Sequence, residues 1–239
     1  NAAVGKASAT VPGGGGGVLV AHNGIFNMSG GTISNNTSAN VGGGVALGGG
    51  ESNAYVANDC HPAISMTGGT ITENTSAEEG GGIFVQCNGV ATITKGAITN
   101  NTSNGGNAFS GGGIYVNGGR TGFDNGQLNL SNVWISENTA QAGGGIAGCP
   151  TSNVKVYLKD GGVIWGNQDA DKNADDIRMV AKIMGWNASG TEEVYLSRYM
   201  MGGGLYQWTN KADDTLATSA QLFGKESHLY SGVEKEELT

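Results

Sequence analysis

"GGTISNNTS" at residues 30–38 returns, altered but legible, as "GGTITENTS" at 68–76, "KGAITNNTS" at 95–103 and "NVWISENTA" at 132–140. Aligning the copies on their isoleucine gives Ile33, Ile71, Ile98, Ile135 and, in weaker form, Ile164. Three positions further on each copy carries an asparagine: Asn36, Asn74, Asn101, Asn138 and Asn167. A second phrase precedes each copy: "GGGGGVLV" (13–20), "GGGVAL" (42–47), "GGGIFV" (80–85), "GGGIYV" (111–116) and "GGGIAG" (143–148). A unit of this length, repeated along the chain, decides the architecture before any local preference does.

Each unit reads as short strands of alternating apolar and polar residues, ended by glycine or asparagine. Such strands cannot bury an apolar side alone, but stacked in a coil they can. Asparagine at one corner of every turn suits a parallel solenoid, because its amide can bond the same amide in the coils on either side and it tolerates a left-handed backbone. Glycine triplets suit the other corner, where positive φ or close approach of backbone is needed. The expectation is an all-β chain: a right-handed parallel β-helix of about five coils over residues 1–176, its repeats running from 13 to about 170. Coils rise by about 4.8 Å. A C-terminal β-rich cap and linker would follow over 177–239.

Composition agrees with a folded chain and removes some functions. Of 239 residues, 45 are glycine, yet without the every-third spacing and abundant proline of collagen. The 38% hydrophobic content suffices for a core. A formal charge of −8 argues against nucleic acid as a partner, since phosphate binding needs clustered lysine and arginine. No apolar run approaches the roughly 20 residues of a membrane span, and "NAAVGKASATVPGGGGG" at the start lacks the pattern of a signal peptide. The chain reads as a monomeric piece of a larger protein.

The paired Gly-Gly-[Ala/Gly]-[Ile/Val] and [Phe/Ile]-x-x-Asn motifs resemble the repeats of bacterial polymorphic-membrane-protein-type β-helices, over roughly residues 13–177. The resemblance implies a β-helix at the cell surface or outside the cell, often in an adhesin. The same scaffold carries some glycan-cleaving enzymes, the lacto-N-biosidases among them. It brings no catalytic motif that maps residue by residue onto this chain.

Because the repeat is structural, information is expected where it is broken. "VLVAHNGIFNM" (18–28) and "IFVQCNGVATI" (83–93) align without insertion, whereas "GGGESNAYVAND" (48–59) and "NGGRTGF" (117–123) are inserted at the same corner, two coils apart. These loops would wall a groove about 9.6 Å wide at twice the strand spacing. Gln86, Cys87 and Asn88 would form its floor, with Glu51, Tyr55 and Asp59 on one wall and Arg120, Phe123 and Asp124 on the other. Aromatic faces beside carboxylates and amides suit a sugar; solvated loops with no ligand are the plainer reading. Asp59 and Asp124 are the candidate catalytic pair. Their expected separation fits the roughly 6.5–9.5 Å of an inverting glycosidase better than the shorter retaining distance.

Cys60 lies eleven residues before Ile71 and Cys87 eleven before Ile98, so both occupy one column of adjacent coils, at a spacing a disulfide accepts. Two stacked thiols are the alternative. Cys149 has no partner in that register and reads as a packed thiol. "DADKNADD" (169–176) places oxygen ligands at alternate positions, Asp169, Asp171, Asn173 and Asp175, as a calcium loop begins. Ala174 and Val180 stand where such a loop needs glycine and glutamate, so an acidic turn is the competing reading. No other cofactor is expected: His22, His61 and His228 are too scattered for zinc, and no phosphate-binding loop or nucleophile elbow occurs.

After Asp176 the phrases stop and Trp186, Tyr195, Tyr199, Tyr206, Trp208 and Tyr230 accumulate. An open solenoid end is an exposed sheet edge that must be covered. "VYL", "GGGLYQW" and "HLY" read as the covering strands, and their aromatics as cap core. The functional expectation is a secreted or cell-surface module that recognises glycan, of host mucin or dietary type, through the groove. The alternatives are a glycoside hydrolase domain on the same scaffold and a passive stalk.

Overall fold

The computed structural model describes residues 2–3, 14–48, 59–106, 110–119, 122–179, 194–197, 199–201, 204–205, 208–210, 215–216 and 227–231. Every regular element among them is a strand. Sheet A collects the strands that follow the glycine triplets, Val18–Val20, Val45–Leu47, Ile83–Val85, Ile114–Val116 and Ile146–Gly148, and then Ile177–Met179, which follows Asp175 and Asp176 instead; each is parallel to the next. Sheet B collects Ile25–Met28, Ala63–Met66, Val90–Ile93, Gln127–Ser131, Asn153–Tyr157 and Val194–Leu196, again all parallel. Sheet C holds the isoleucine phrase, Thr32–Ser34, Thr70–Thr72, Gly96–Thr99, Val133–Ser136 and Val163–Trp165. A narrow sheet D runs Ala2–Ala3, Thr37–Ser38, Thr75–Ser76 and Thr102–Ser103, and single bridges carry it on to Thr139 and Gln168. The chain visits A, B, C and D in order and returns to A, so the parallel sheets stack as in a β-solenoid.

One residue in two along each strand points into the bore. Ile71, Ile98, Ile135 and Ile164 are level with one another in sheet C and fully buried. Ile83, Ile114 and Ile146 do the same in sheet A. One apolar cluster runs the length of the solenoid.

The three glycines of each triplet have different jobs. The first is left-handed: φ is +63° at Gly42, +68° at Gly80, +61° at Gly111 and +64° at Gly143. The third lies against the asparagine corner; a Cβ on Gly82 would sit 2.6 Å from the Gly113 carbonyl and 3.0 Å from Asn101 Nδ2.

The asparagines form the expected column. Asn36 donates from its backbone and from Nδ2 to Asn74 Oδ1, at 3.1 and 2.9 Å. Asn74 does the same to Asn101, Asn101 to Asn138 and Asn138 to Asn167. Each amide nitrogen from Asn74 to Asn167 also donates to the isoleucine carbonyl of the preceding coil, Ile33, Ile71, Ile98 and Ile135 in turn. The left-handed backbone expected at these asparagines falls one residue earlier, at Asn35, Glu73, Asn100, Glu137 and Gly166. That shift frees the asparagine itself to aim its amide along the stack.

Asp176 ends the column. Its Oδ1 accepts from Asn167 N at 3.2 Å and Asn167 Nδ2 at 2.8 Å, as an asparagine would, while its Oδ2 accepts from the backbone of Ser231 at 2.8 Å. A second oxygen acceptor lets a carboxylate join the ladder to the C-terminal segment. Burial pushes its pKa up, opposed by the donors of Ser231 and Asn167. With a folded pKa above the unfolded one, its contribution to stability is complete below the ordinary aspartate range and is lost as pH rises through the folded value. Asp176→Asn is expected to remove that decline. It should also destabilise the chain by about 1–3 kcal/mol at neutral pH, because an amide NH2 would then face the Ser231 N–H. Urea midpoints of both proteins from about pH 4 to pH 8 check this; parallel curves would refute it.

The boundary expected at 176 is not where the parallel pairing stops. Ile177–Met179 adds a strand to sheet A and Val194–Leu196 one to sheet B. Antiparallel pairing starts beyond, where Ser227–Tyr230 lies against Ile177–Met179 and Thr209–Asn210 against Ser227–Tyr230. Trp208 is buried in the main core, its Nε1 donating to the Ser197 carbonyl. Tyr195, in contrast, is exposed and stacked on Tyr157, so it is not cap core.

Candidate functional site

The corner where sheet A turns into sheet B carries the irregular sequences. One position past the sheet A strand stand Gly48, Gln86, Asn117 and Cys149, level by the register of Leu47, Val85, Val116 and Gly148. Asn117 Nδ2 donates to Gln86 Oε1 at 2.6 Å, and Asn117 Oδ1 accepts from the Gly118 backbone and lies 3.5 Å from Cys149 Sγ. Cys149 Sγ in turn meets Tyr115 OH at 3.2 Å, and the Tyr115 ring stacks on Phe84 at 5.8 Å. Burial pushes the Cys149 thiol up to about 11, so it is a packing group and not a nucleophile at neutral pH. Reading along the chain does not single out Asn117 or Tyr115. The signal for Asn117 was the column itself, since Gln86 and Asn117 both stand one step past an apolar strand end, while Tyr115 is the middle residue of its strand, level with Phe84.

Gln86 and Asn88 are only 5% and 3% exposed, so they underlie this corner. Asn88 is left-handed, with φ +62°. Its Oδ1 accepts from the backbone of Asp124 at 2.5 Å and its backbone N donates to the Asp124 carbonyl at 3.0 Å. Asn23 has the same role two coils earlier, accepting from the backbone of His61 at 2.8 Å. Asn88 Nδ2 is buried and has no acceptor. Phe123 is half-buried, while Asp59 and Asp124 are exposed. Both carboxylates come just before a strand of sheet B, on the two coils that flank the one bearing Asn88, since Ala63, Val90 and Gln127 are level. Glu51, Tyr55 and Arg120 lie outside the described residues.

The cysteines are placed as their spacing requires but are not joined. Cys60, Cys87 and Cys149 are buried and in the thiol form. Cys60 Sγ lies 3.4 Å from His22 Nδ1 instead, the ring occupying the same column one coil earlier.

The acidic stretch makes a turn. Asp169 Oδ1 accepts from the backbones of Asp171 and Asn173, at 3.0 and 2.8 Å, and both its oxygens face Asn173 Nδ2. Asp175 points inward, its Oδ2 accepting from Gly143 N at 2.8 Å. Of the four expected calcium ligands, Asp169 and Asn173 are thus tied to each other and Asp175 is turned inward, away from them. Among the described residues no three His, Cys, Asp or Glu side chains are grouped as a metal site.

No family model, curated protein or solved structure matches this chain.

Proposed function

We propose that this chain is a right-handed parallel β-helix of five coils from a bacterial surface or secreted protein, and that it recognises glycan at the corner built on Gln86 and Asn88. The observation that carries the reading is Asn88 Nδ2, a buried amide donor without an acceptor. Buried donors are nearly always paired, and one left open costs about 1–3 kcal/mol. A ligand hydroxyl or carbonyl that enters the corner where Asn88 holds the Asp124 backbone would complete it, and the exposed carboxylates of Asp59 and Asp124 would take further hydroxyls. Rigid scaffold beneath irregular loops is where recognition concentrates.

The test starts with a glycan array on the wild-type protein. Phe123→Ala is expected to weaken any binding found by about 1–3 kcal/mol, as loss of an aromatic anchor does, with the melting temperature nearly unchanged. A glycoside hydrolase on this scaffold is the second reading, supported by two exposed carboxylates that flank a single coil. For that reading Asp59→Asn and Asp124→Asn should abolish turnover of chromogenic glycosides by orders of magnitude while sparing affinity. No binding on the array and no turnover would leave the stalk.

A further inference from the structure

We infer a second ligand surface, away from that corner: the outward face of sheet B, which the geometry suits to an extended, uncharged polysaccharide. Alternation in sheet B sends Ile64, Met66, Ala91, Ile93, Leu128 and Leu130 inward, where all are buried. The residues between them face out in two rows that cross the strands. One row is Ser65, Thr92 and Asn129, level by register and half-buried. The next, one step past Met66, Ile93 and Leu130, is Thr67, Thr94 and Ser131. As far as Asn129 and Ser131 both rows hold only hydroxyls and amides, repeated at about 4.8 Å, and Lys155 follows Asn129 in the first row.

The rows run into a pair of exposed rings. Tyr157 continues the second row, opposite Ser131, and Tyr195 continues the first, opposite Lys155. Their centroids are 4.6 Å apart with 27° between the planes, yet 45% and 42% of the two residues remain in contact with solvent. The other aromatic pairs among the described residues are more covered: Phe84 and Tyr115 are 2% and 3% exposed, and Trp134 and Trp165 are half-buried, with Trp134 Nε1 donating to Ser136 Oγ. The tyrosines therefore leave a broad apolar surface in water at the end of a hydrogen-bonding track whose one charged member is Lys155.

That combination fits few ligands. A nucleic acid or an acidic polymer needs rows of cations, and among the described residues Lys155 is the single one within the two rows. A protein partner wants an apolar, tightly packed centre, and two rings beside hydroxyl rows do not make one. A sugar ring offers a C–H face to an aromatic ring and hydroxyls at its edge, and successive sugars of an extended chain would meet successive side chains of a row. The site is independent of Asn88 and Phe123.

Affinity electrophoresis of the full chain in gels carrying hydroxyethylcellulose, galactomannan or dextran tests it. At least one neutral polymer is expected to retard the wild type, and Tyr157→Ala with Tyr195→Ala to weaken that binding at least tenfold at unchanged melting temperature. Asn129→Asp, which puts a charge into the row, should weaken it too. Phe123→Ala should have no effect on it. Absence of retardation by every neutral polymer, or retardation that the double variant retains, overturns the proposal. If Phe123→Ala abolishes binding and the double variant does not, the corner is the site and this surface is not. Loss in the double variant alone supports this surface and leaves the corner to be judged by the array.

Discussion

Asn101→Ala is expected to lower the unfolding free energy by on the order of 3–6 kcal/mol, a large part of the 5–15 kcal/mol typical of a folded domain. Asn101 sits in the middle of the ladder and is fully buried. Its Oδ1 is the acceptor for both the backbone and the Nδ2 of Asn74, and its own Nδ2 donates to Asn138 Oδ1 and to the Ile71 carbonyl. Alanine would strand the backbone N–H of Asn74 away from water, leave Asn74 Nδ2 with only the Ile33 and Thr72 carbonyls, and strip one donor each from Asn138 and Ile71. The backbone N–H of residue 101 would still reach Asn138 Oδ1. Asn36→Ala is the control: Asn36 gives Asn74 one side-chain bond and keeps its backbone bond after substitution. Its cost should be about 1 kcal/mol. Urea denaturation of the two variants beside the wild type measures the difference. Equal losses at the middle and the end would mean that the column is not a cooperative support.

This asymmetry explains what the sequence could reveal and what it could not. The ladder and the isoleucine stack were legible because a repeated position in a solenoid repeats its neighbours as well. Asn74, Asn101 and Asn138 have nearly identical partners, so one phrase encodes one environment. Asp176 escaped because it lies nine residues from Asn167 and outside any phrase, and only the turn closed by Asp169 brings it back under the ladder. The same limit applies to the calcium reading. Alternate acidic positions suggest convergence, but a turn that uses Asp169 to accept its own N–H groups sends Asp175 the other way. At the corner, the column of Cys60 and Cys87 followed from register, while the partner actually taken by Cys60, the His22 ring, depended on a side-chain direction that register does not fix. The outward face of sheet B was written in the strands all along. It stayed hidden because the rows run across strands, and neighbouring members are a whole coil apart in the chain.

Gly112→Ala is expected to prevent folding altogether, although Gly112 does not have the positive φ that usually explains an obligatory glycine. The reason is distance. A Cβ at this position would lie 2.5 Å from the carbonyl oxygens of both Gly144 and Thr139, well inside the roughly 3.4 Å or more of an ordinary carbon–oxygen contact. Both oxygens belong to backbone of the next coil, and neither can move alone: the Gly111 and Gly112 amides hydrogen-bond Ala142 and Gly143, and Thr139 N bonds Asn101 O. Relief would require that coil to shift, which would pull Asn138 off Asn101. A methyl group here therefore sets packing against the ladder, and the loss should exceed the roughly 4–5 kcal/mol that marks an exceptional substitution. Gly106→Ala is the matched control six residues away, where a Cβ would meet nothing within 4 Å and φ is not positive. It should fold normally and be stable to within about 1 kcal/mol, slightly the better for a stiffer unfolded chain. Circular dichroism and amide hydrogen exchange on both variants decide. A folded Gly112→Ala protein with native exchange at Ile114–Val116 would show that the coils can separate at this corner, and the close approach of glycine to the ladder would then not be what fixes their spacing.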